Sequence, residues 1–359
     1  PGPVAASPAP VTSLTTPFAG LTTPQINGTW TLTIRDGGGG DTGAITTSAL
    51  TLNGGIVTPT ANAPLDFNGD AKSDYVVVRN IGGGAGGQIR WFYNINGGGA
   101  TVALDWGLAS DFFISEDFDN DGKDDVAVWR SGPAGTAAFY ILNSATSTAR
   151  VEPFGVTGDD PSIVDDYNGD GSADLAVYRE GVTAGSQSTW YYNTSPGGAL
   201  TVIPWGLNGD VAIPGDMDGN GSADFTIQRD NGGGGTYWTR LSTGAVQPVA
   251  YFGLFSDDIV PGDYDGDAKT DLAAARVNGG GLDWYYRRST DGVVVGPIPF
   301  GTSTDLPTQG DYDGDGKVEP AIWRGSAGQF ISRNSSNGAA SFFSLGSTGD
   351  FAVANYNAH

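Results

Sequence analysis

A nine-residue segment rich in aspartate recurs six times along the chain, and a longer unit repeats around it. Successive copies lie 51, 49, 50, 47 and 48 residues apart and begin at Asp66, Asp117, Asp166, Asp216, Asp263 and Asp311. A period of about 50 residues with several strands per unit is typical of a propeller blade, which buries its apolar faces only against neighbouring blades. This repeat therefore restricts the possible folds more than any other feature of the sequence.

Each repeat unit is predicted to form four short strands. An alternating apolar run follows the acidic segment, an aromatic run comes next, and a short strand closes on an aromatic residue and a glycine, such as Trp106-Gly107. A last short strand leads into the next acidic segment. Glycine, asparagine and serine separate these runs as turn residues, and no stretch has the period of a helix. The sequence therefore predicts an all-β protein, a β-propeller with almost no helix.

The acidic segments have the residue pattern of calcium-binding loops. Positions 1, 3, 5 and 9 carry Asp, Asn or Glu in every copy, and position 7 carries Lys or Ser, which would offer its backbone carbonyl. Calcium takes roughly six to eight oxygen ligands, and alternate residues of a tight turn point toward one centre. An EF-hand is excluded, because position 12 is an apolar strand residue instead of a glutamate. The candidate ligands are Asp66, Asn68, Asp70, Lys72, Asp74, Asp117, Asp119, Asp121, Lys123, Asp125, Asp166, Asn168, Asp170, Ser172, Asp174, Asp216, Asp218, Asn220, Ser222, Asp224, Asp263, Asp265, Asp267, Lys269, Asp271, Asp311, Asp313, Asp315, Lys317 and Glu319.

The charge of the chain supports metal binding and limits the partners. The formal net charge is -23, and 36 of the 40 acidic residues are Asp, the short carboxylate typical of calcium-binding turns. We expect about six structural Ca²⁺ ions, one in each loop. A surface this acidic repels phosphate backbones and anionic lipids, so we expect no nucleic-acid partner. The chain has no run of about 18 apolar residues, so we expect no membrane insertion.

The usual combinations of nucleophile and base are missing from the sequence. It has no cysteine, and its single histidine is His359. Ser-His-Asp and Cys-His catalysis are therefore excluded, together with the usual histidine zinc sites. We expect a protein that is not an enzyme. Loops that depend on plentiful calcium indicate a secreted, extracellular or cell-surface protein.

The combination of aromatic-glycine pair, short strand, acidic loop and apolar strand resembles the FG-GAP/VCBS-type repeat. Integrin α-subunit heads and many secreted bacterial proteins carry this repeat. The resemblance covers residues 61–359, and we assign residues 58–359 to a calcium-binding β-propeller. It implies that each acidic loop joins the first two strands of a blade. Members of the family include adhesins, lectins and accessory domains of secreted enzymes.

The two ends of the chain leave the number of blades open. Residues 1–25 are a Pro/Thr/Ser-rich tail, and residues 26–57 resemble the last strands of the P domain found beside secreted subtilisin-like proteases. The C-terminal TGDFAVANYNAH resembles the strand before an acidic loop but has no loop after it. With strands predicted at 29–34 and 44–52, it favours about seven blades closed by the N- and C-terminal strands. The alternatives are six blades plus a small N-terminal β module, and strand exchange between subunits that builds a polymer.

Two sets of recurring side chains have a structural and a functional interpretation. One arginine ends the first apolar run of every unit, at Arg79, Arg130, Arg179, Arg229, Arg276 and Arg324. We expect these arginines to pack on the neighbouring aromatic strand or to bond the next blade, and the alternative is a ring of ligand-binding arginines. Trp91, Trp190, Trp238 and Trp284 are expected to pack between blades, and the alternative is that they form platforms for sugars.

Three functions agree with these features. The first is a non-enzymatic extracellular structural, adhesion or filament subunit that binds an extracellular protein or glycan or self-assembles through its terminal strands. The second is the accessory, substrate- or glycan-binding domain of a secreted hydrolase such as a subtilisin-like protease, which the P-domain resemblance suggests. The third is a lectin, in which repeated aromatic platforms would give multivalent binding.

Overall fold

The computed structural model describes residues 63–194 and 197–354, all within the compact unit Ile56–His359. The predicted tail 1–25, the P-domain-like residues 26–57 and the N-terminal strands lie outside the described residues. The described chain forms six antiparallel sheets, the blades of a propeller, and its only helical element is the short turn Ile95–Gly97. No helix in these ranges is long and apolar enough to cross a membrane. The all-β prediction is confirmed.

Consecutive strands pair within each of the first three blades. Blade 1 contains β1 (Tyr75–Asn80), β2 (Gln88–Asn94) and β3 (Val102–Leu108). Blade 2 contains β4 (Phe112–Glu116), β5 (Asp125–Arg130), β6 (Ala138–Leu142) and β7 (Ala149–Pro153). Blade 3 contains β8 (Leu175–Arg179), β9 (Gln187–Asn193) and β10 (Leu200–Leu207), with an isolated Asp160–Tyr178 bridge where the other blades have a first strand.

The next three blades repeat the four-stranded arrangement. Blade 4 contains β11 (Val211–Ile213), β12 (Phe225–Asn231), β13 (Gly234–Arg240) and β14 (Ala250–Leu254). Blade 5 contains β15 (Asp258–Ile259), β16 (Leu272–Asn278), β17 (Gly281–Arg287) and β18 (Val294–Thr302). Blade 6 contains β19 (Leu306–Pro307), β20 (Ala321–Arg324), β21 (Gln329–Arg333) and β22 (Ala340–Ser344).

The C-terminal strand β23 (Phe351–Ala352) closes the ring. It pairs antiparallel with β1, where Val77 is opposite Ala352 and Val78 is opposite Phe351, so blade 1 has the order β23-β1-β2-β3. The prediction of about seven blades is therefore wrong, and the structure has the six blades of the alternative. The strand expected to begin a seventh unit instead satisfies the open edge of β1, which would otherwise expose unpaired N–H and C=O groups.

Apolar side chains fill the spaces between adjacent blades. Trp91 has no exposed surface and belongs to a cluster that joins Val78 of blade 1 to Val128 of blade 2. Trp190 and Trp284 are also fully buried and pack against blades 4 and 6 respectively. The prediction of inter-blade packing is confirmed for these three tryptophans, whose buried rings contribute much of the core.

The aromatic-glycine pairs bend the outer strands. Gly107 and Gly206 have φ angles of 88° and 97°, which a residue with a Cβ adopts only with strain. A Cβ on Gly206 would also overlap the Tyr178 hydroxyl. The bend leaves the preceding carbonyl free to accept from a buried indole, as Trp106 O accepts from Trp91 Nε1 at 2.8 Å. Glycine is therefore required by both backbone conformation and packing.

Candidate metal centre: a ring of six acidic loops

The six acidic segments are numbered loop 1 (66–74), loop 2 (117–125), loop 3 (166–174), loop 4 (216–224), loop 5 (263–271) and loop 6 (311–319), and their residues are positions 1 to 9. In blades 2, 4, 5 and 6 the loop joins the first and second strands. In blade 1 it precedes β1, because β23 supplies the neighbouring strand from the other end of the chain. In four of the six blades the loop therefore lies where the FG-GAP/VCBS resemblance implies.

The aspartate at position 1 organises the backbone of each loop. In loop 6, Asp311 accepts hydrogen bonds from the backbone N–H groups of Gly314 at 2.6 Å and Gly316 at 2.8 Å through its two oxygens. Both glycines have positive φ, 76° and 83°. The glycines allow the chain to curl around one carboxylate, which fixes the directions of the following side chains.

Four loops bring three carboxylates together. In loops 2, 4, 5 and 6, three Asp side chains each place one oxygen within 4.8 Å of the others. These four clusters are Asp117, Asp119 and Asp121; Asp216, Asp218 and Asp224; Asp263, Asp265 and Asp271; and Asp311, Asp313 and Asp315. The other two loops carry an asparagine at position 3, Asn68 and Asn168, whose side-chain oxygen accepts from the N–H at position 5.

Position 3 of these four loops has a buried oxygen with no partner. In Asp119, Asp218, Asp265 and Asp313, the Oδ1 atom is buried and accepts no hydrogen bond. The Oδ2 atom of Asp119 accepts from Asn143 at 3.0 Å, and that of Asp313 accepts from Ser336 Oγ at 2.7 Å. A buried carboxylate oxygen without a partner is costly, so the same orphaned atom in four loops is suited to a cation.

The acidic group at position 9 is fully buried in every loop. Asp74, Asp125, Asp174, Asp224, Asp271 and Glu319 all have 0% exposure. Burial raises the pKa of Asp125, Asp224 and Asp271 to about 6 and that of Glu319 to about 8. Burial disfavours the charged form of a carboxylate, and a nearby cation restores it.

Position 7 uses its side chain outside its own loop. Lys269 lies along Gly219 of loop 4, and Lys72 Nζ donates to Asp313 O of loop 6 at 3.1 Å. The lysine side chains therefore do not point to the ion site of their own loop, as expected if position 7 offers only its backbone carbonyl. That carbonyl contribution stays a prediction.

The sequence interpretation missed a serine that supports the loops. In the turn after the third strand, the N–H groups of Ser144, Ser242 and Ser289 donate to the position 9 carboxylate of their own blade at 2.6–2.7 Å. Ser289 Oγ also donates to Asp267 at 2.9 Å. The signal was a serine that follows the aromatic strand in four of the units, as Ser144, Ser242, Ser289 and Ser335.

Each recurring arginine binds a buried aspartate at the end of its blade that lies away from the acidic loop. The six pairs are Arg79–Asp350, Arg130–Asp111, Arg179–Asp159, Arg229–Asp210, Arg276–Asp257 and Arg324–Asp305. Both Nε and Nη2 of each guanidinium donate, and the aspartate side chains are at most 2% exposed. The carboxylate also accepts an N–H three residues earlier, as Asp257 does from Leu254. Each pair therefore ties down the turn between consecutive blades.

The arginines also stack on the aromatic strand, as expected. Five guanidinium carbons lie 4.4–5.6 Å from an aromatic ring centre, for example Arg130 over Tyr140 and Arg229 over the half-buried Trp238. Of the two expected arrangements the structure has the stacking and not a bond to the next blade, because the partner aspartate immediately precedes the first strand of the same blade. The Nε–Nη2 edge of each arginine is already used by this ion pair. The six arginines therefore do not present that edge to a ligand, as the alternative of a ligand-binding ring would require.

Comparisons with known proteins identify the fold alone. No protein-family model matches the chain, and no curated protein matches it. TolB from Acinetobacter baumannii is a similar solved structure, with a TM-score of 0.55 and 16% identity over 79% of this chain and 66% of TolB. AofleA from Arthrobotrys oligospora has a TM-score of 0.47 and 11% identity over 79% of this chain and 89% of AofleA. The chain is a six-bladed β-propeller with a ring of acidic loops, and it spans 66% of the length of TolB.

Proposed function

We propose that this chain is a calcium-stabilised propeller of the FG-GAP/VCBS type that acts outside the cell as a non-enzymatic structural or adhesion subunit. The observation that carries the proposal is the buried, unpartnered Oδ1 atom at position 3 of loops 2, 4, 5 and 6. Each lies in a cluster of three carboxylates whose oxygens are within 4.8 Å. A hard cation with oxygen ligands supplies what that atom lacks.

The donor set fits calcium better than a transition metal. The clusters contain only oxygen donors, and the described chain has no cysteine or histidine near them. The ligands of each site would be the side chains at positions 1, 3, 5 and 9 and the carbonyl at position 7. The ion would neutralise carboxylates that otherwise repel one another in a buried turn. Calcium therefore has a structural role in this proposal.

The expected stabilisation is comparable with the stability of a whole domain. At ten times the dissociation constant, a bound ion adds about 1.4 kcal/mol to the free energy of unfolding. Extracellular calcium modules with dissociation constants near 10⁻⁴ M reach this occupancy at about 1 mM calcium. Six such sites add roughly 8 kcal/mol, within the range of about 5–15 kcal/mol for folded domains. The proposal places the chain outside the cell because sites of this affinity fill only where calcium is millimolar.

The structure bears unequally on the other three functions, which are a lectin, a filament subunit and an accessory domain of a hydrolase. A lectin with tryptophan platforms receives none from Trp91, Trp190 and Trp284, since at most 1% of each is exposed. Filament growth by exchange of the C-terminal strand would require β23 to leave β1 of its own chain, with which it pairs here. An accessory domain of a secreted hydrolase stays the second candidate, and it rests on the P-domain resemblance of residues 26–57.

Thermal unfolding with calcium and with chelator tests the proposal. We expect the midpoint to rise by about 15 °C in 1 mM calcium, from roughly 2 °C for each kcal/mol. Magnesium at the same concentration should give a much smaller rise, because it demands a tight octahedral shell and dehydrates reluctantly. Equal midpoints in calcium and chelator would contradict the calcium function.

A further inference from the structure

The six loops are linked to one another in a closed ring of backbone hydrogen bonds. In every junction, the N–H at position 8 of one loop donates to the carbonyl at position 1 of the preceding loop, at 2.7–2.8 Å. The donors are Ser73, Asp124, Ala173, Ala223, Thr270 and Val318, and their acceptors in the same order are Asp311, Asp66, Asp117, Asp166, Asp216 and Asp263. The ring is complete, because loop 1 donates to loop 6.

Side chains reinforce several junctions of this ring. Asp311 N donates to Ser73 Oγ at 2.9 Å, and Asp66 N donates to Asp124 Oδ2 at 3.1 Å, so these junctions have hydrogen bonds in both directions. Lysine stems at position 7 also cross from one loop to the preceding one. Lys269 packs on Gly219 in this way, and Lys317 packs on Gly266. Neighbouring loops are thus in contact through backbone and side chains.

The place of the donating N–H group in each loop links the hydrogen-bonded ring to calcium binding. The N–H at position 8 lies between positions 7 and 9, and the carbonyl that it reaches belongs to position 1 of the preceding loop. All three are ligand residues in the proposed calcium sites. An ion that orders positions 7 and 9 of one loop therefore orients the N–H group that holds the first ligand residue of the preceding loop. Ordering one site lowers the ordering cost of its neighbour.

We propose that the six loops bind calcium as a coupled ring, in which filling one loop raises the calcium affinity of the two loops beside it. This inference rests on the proposed calcium function and adds a regulation of the same sites. Coupling between neighbouring sites commonly changes affinity by roughly 5-fold to 150-fold. The chain would then change from a loosely joined to a fully joined ring over a narrow range of calcium concentration.

Hydrogen exchange of the backbone amides in an Asp265→Ala variant tests the coupling. Asp265 is the position 3 ligand of loop 5, and its loss removes one site while the Arg276–Asp257 pair of that blade is kept. We expect loops 4 and 6 to require several-fold more calcium for protection than in the unaltered protein. Loop 2, on the opposite side of the ring, should change least. The amides of Thr270 and Val318 report the two affected junctions directly.

Two further variants make the result decisive. Val277→Ala alters a 57% exposed residue at the other end of β16 and should leave the calcium protection of all six loops unchanged. Asp119→Ala removes the loop 2 site instead, so that loops 1 and 3 should be affected.

The possible outcomes separate the coupling from the calcium function itself. If only the altered loop loses protection in both ligand variants, the sites are independent, and the coupling is overturned while the calcium function stands. If calcium protects no loop of the unaltered protein, the proposed function itself fails. A weakening that spreads to the neighbouring loops of both variants supports the coupled ring.

Discussion

Removing one partner of an arginine–aspartate pair should destabilise the propeller unequally, depending on which partner is lost. In blade 5, Arg276 donates to Asp257 through Nε and Nη2, both at 2.7 Å. The Asp257 side chain is 1% exposed, whereas that of Arg276 is 30% exposed. Arg276→Met therefore leaves a buried carboxylate without a cation, while Asp257→Asn leaves an arginine that water can reach.

The structure sets the magnitude of each effect. Breaking a buried ion pair by removing one partner lowers the free energy of unfolding by about 3–5 kcal/mol. Because the arginine is partly exposed, we expect a loss of about 3 kcal/mol for Arg276→Met. Asp257→Asn keeps an acceptor for the Leu254 N–H, which now donates at 2.7 Å, so its cost should be about 1–2 kcal/mol. The corresponding falls in unfolding midpoint are roughly 6 °C and 3 °C.

Denaturant unfolding in saturating calcium, followed by tryptophan fluorescence, measures both costs. The control is Arg90→Met, since Arg90 pairs with Asp105 on the surface, where the two side chains are 39% and 44% exposed. That variant should be indistinguishable from the unaltered protein. An Asp257→Asn variant less stable than Arg276→Met would contradict this prediction, as would equal small effects of Arg276→Met and Arg90→Met.

Three further predictions concern pH, the outer-strand bend and ring closure. Burial alone would raise the pKa of Asp350, but hydrogen bonds from Arg79 and a backbone N–H lower it on balance. The ionised Asp350 therefore stabilises the fold fully above its unfolded pKa of about 3.9, and this stabilisation is lost as the pH falls through the lower folded pKa. The stability difference between the unaltered protein and Arg79→Met in denaturant unfolding should therefore be full at neutral pH and shrink as the pH falls through the folded pKa of Asp350, and a difference that stays constant with pH would argue against it. Gly206→Ala should cost about 2–4 kcal/mol because its Cβ overlaps a tyrosine hydroxyl, whereas Gly209→Ala, with nothing within 4 Å, should cost only about 1–2 kcal/mol in thermal unfolding. Deleting the chain from Phe351 onward opens the edge of β1, so size-exclusion chromatography should show association or aggregation, and a stable monomer would contradict that role of β23.

The period and the ligand pattern were enough to predict the blades and the position of the loops. Each loop has the same spacing of short acidic residues and glycines, and these residues curl the backbone locally, as Asp311 does with Gly314 and Gly316. Local chemistry of this kind is readable from one segment of sequence. The prediction of the buried tryptophans succeeded for the same reason, since an aromatic run in every unit has to pack between blades.

The number of blades could not be derived from the same pattern. The strand Phe351–Ala352 has the sequence of any first strand, and only the open edge of β1, far away in the chain, decides where it pairs. The aspartates that bind the arginines were missed for a similar reason. Asp257 and Arg276 are 19 residues apart and meet only after two strands have paired. Long-range contacts of this sort depend on the assembled fold.

Isothermal calorimetry of the chelator-treated, dialysed chain with calcium tests directly whether the six loops bind the ion. It counts the ions bound at the six loops and gives their affinities without relying on a change in stability. We expect about six ions with dissociation constants near 10⁻⁴ M or tighter. No binding heat, together with no calcium retained after dialysis against millimolar calcium, would contradict it.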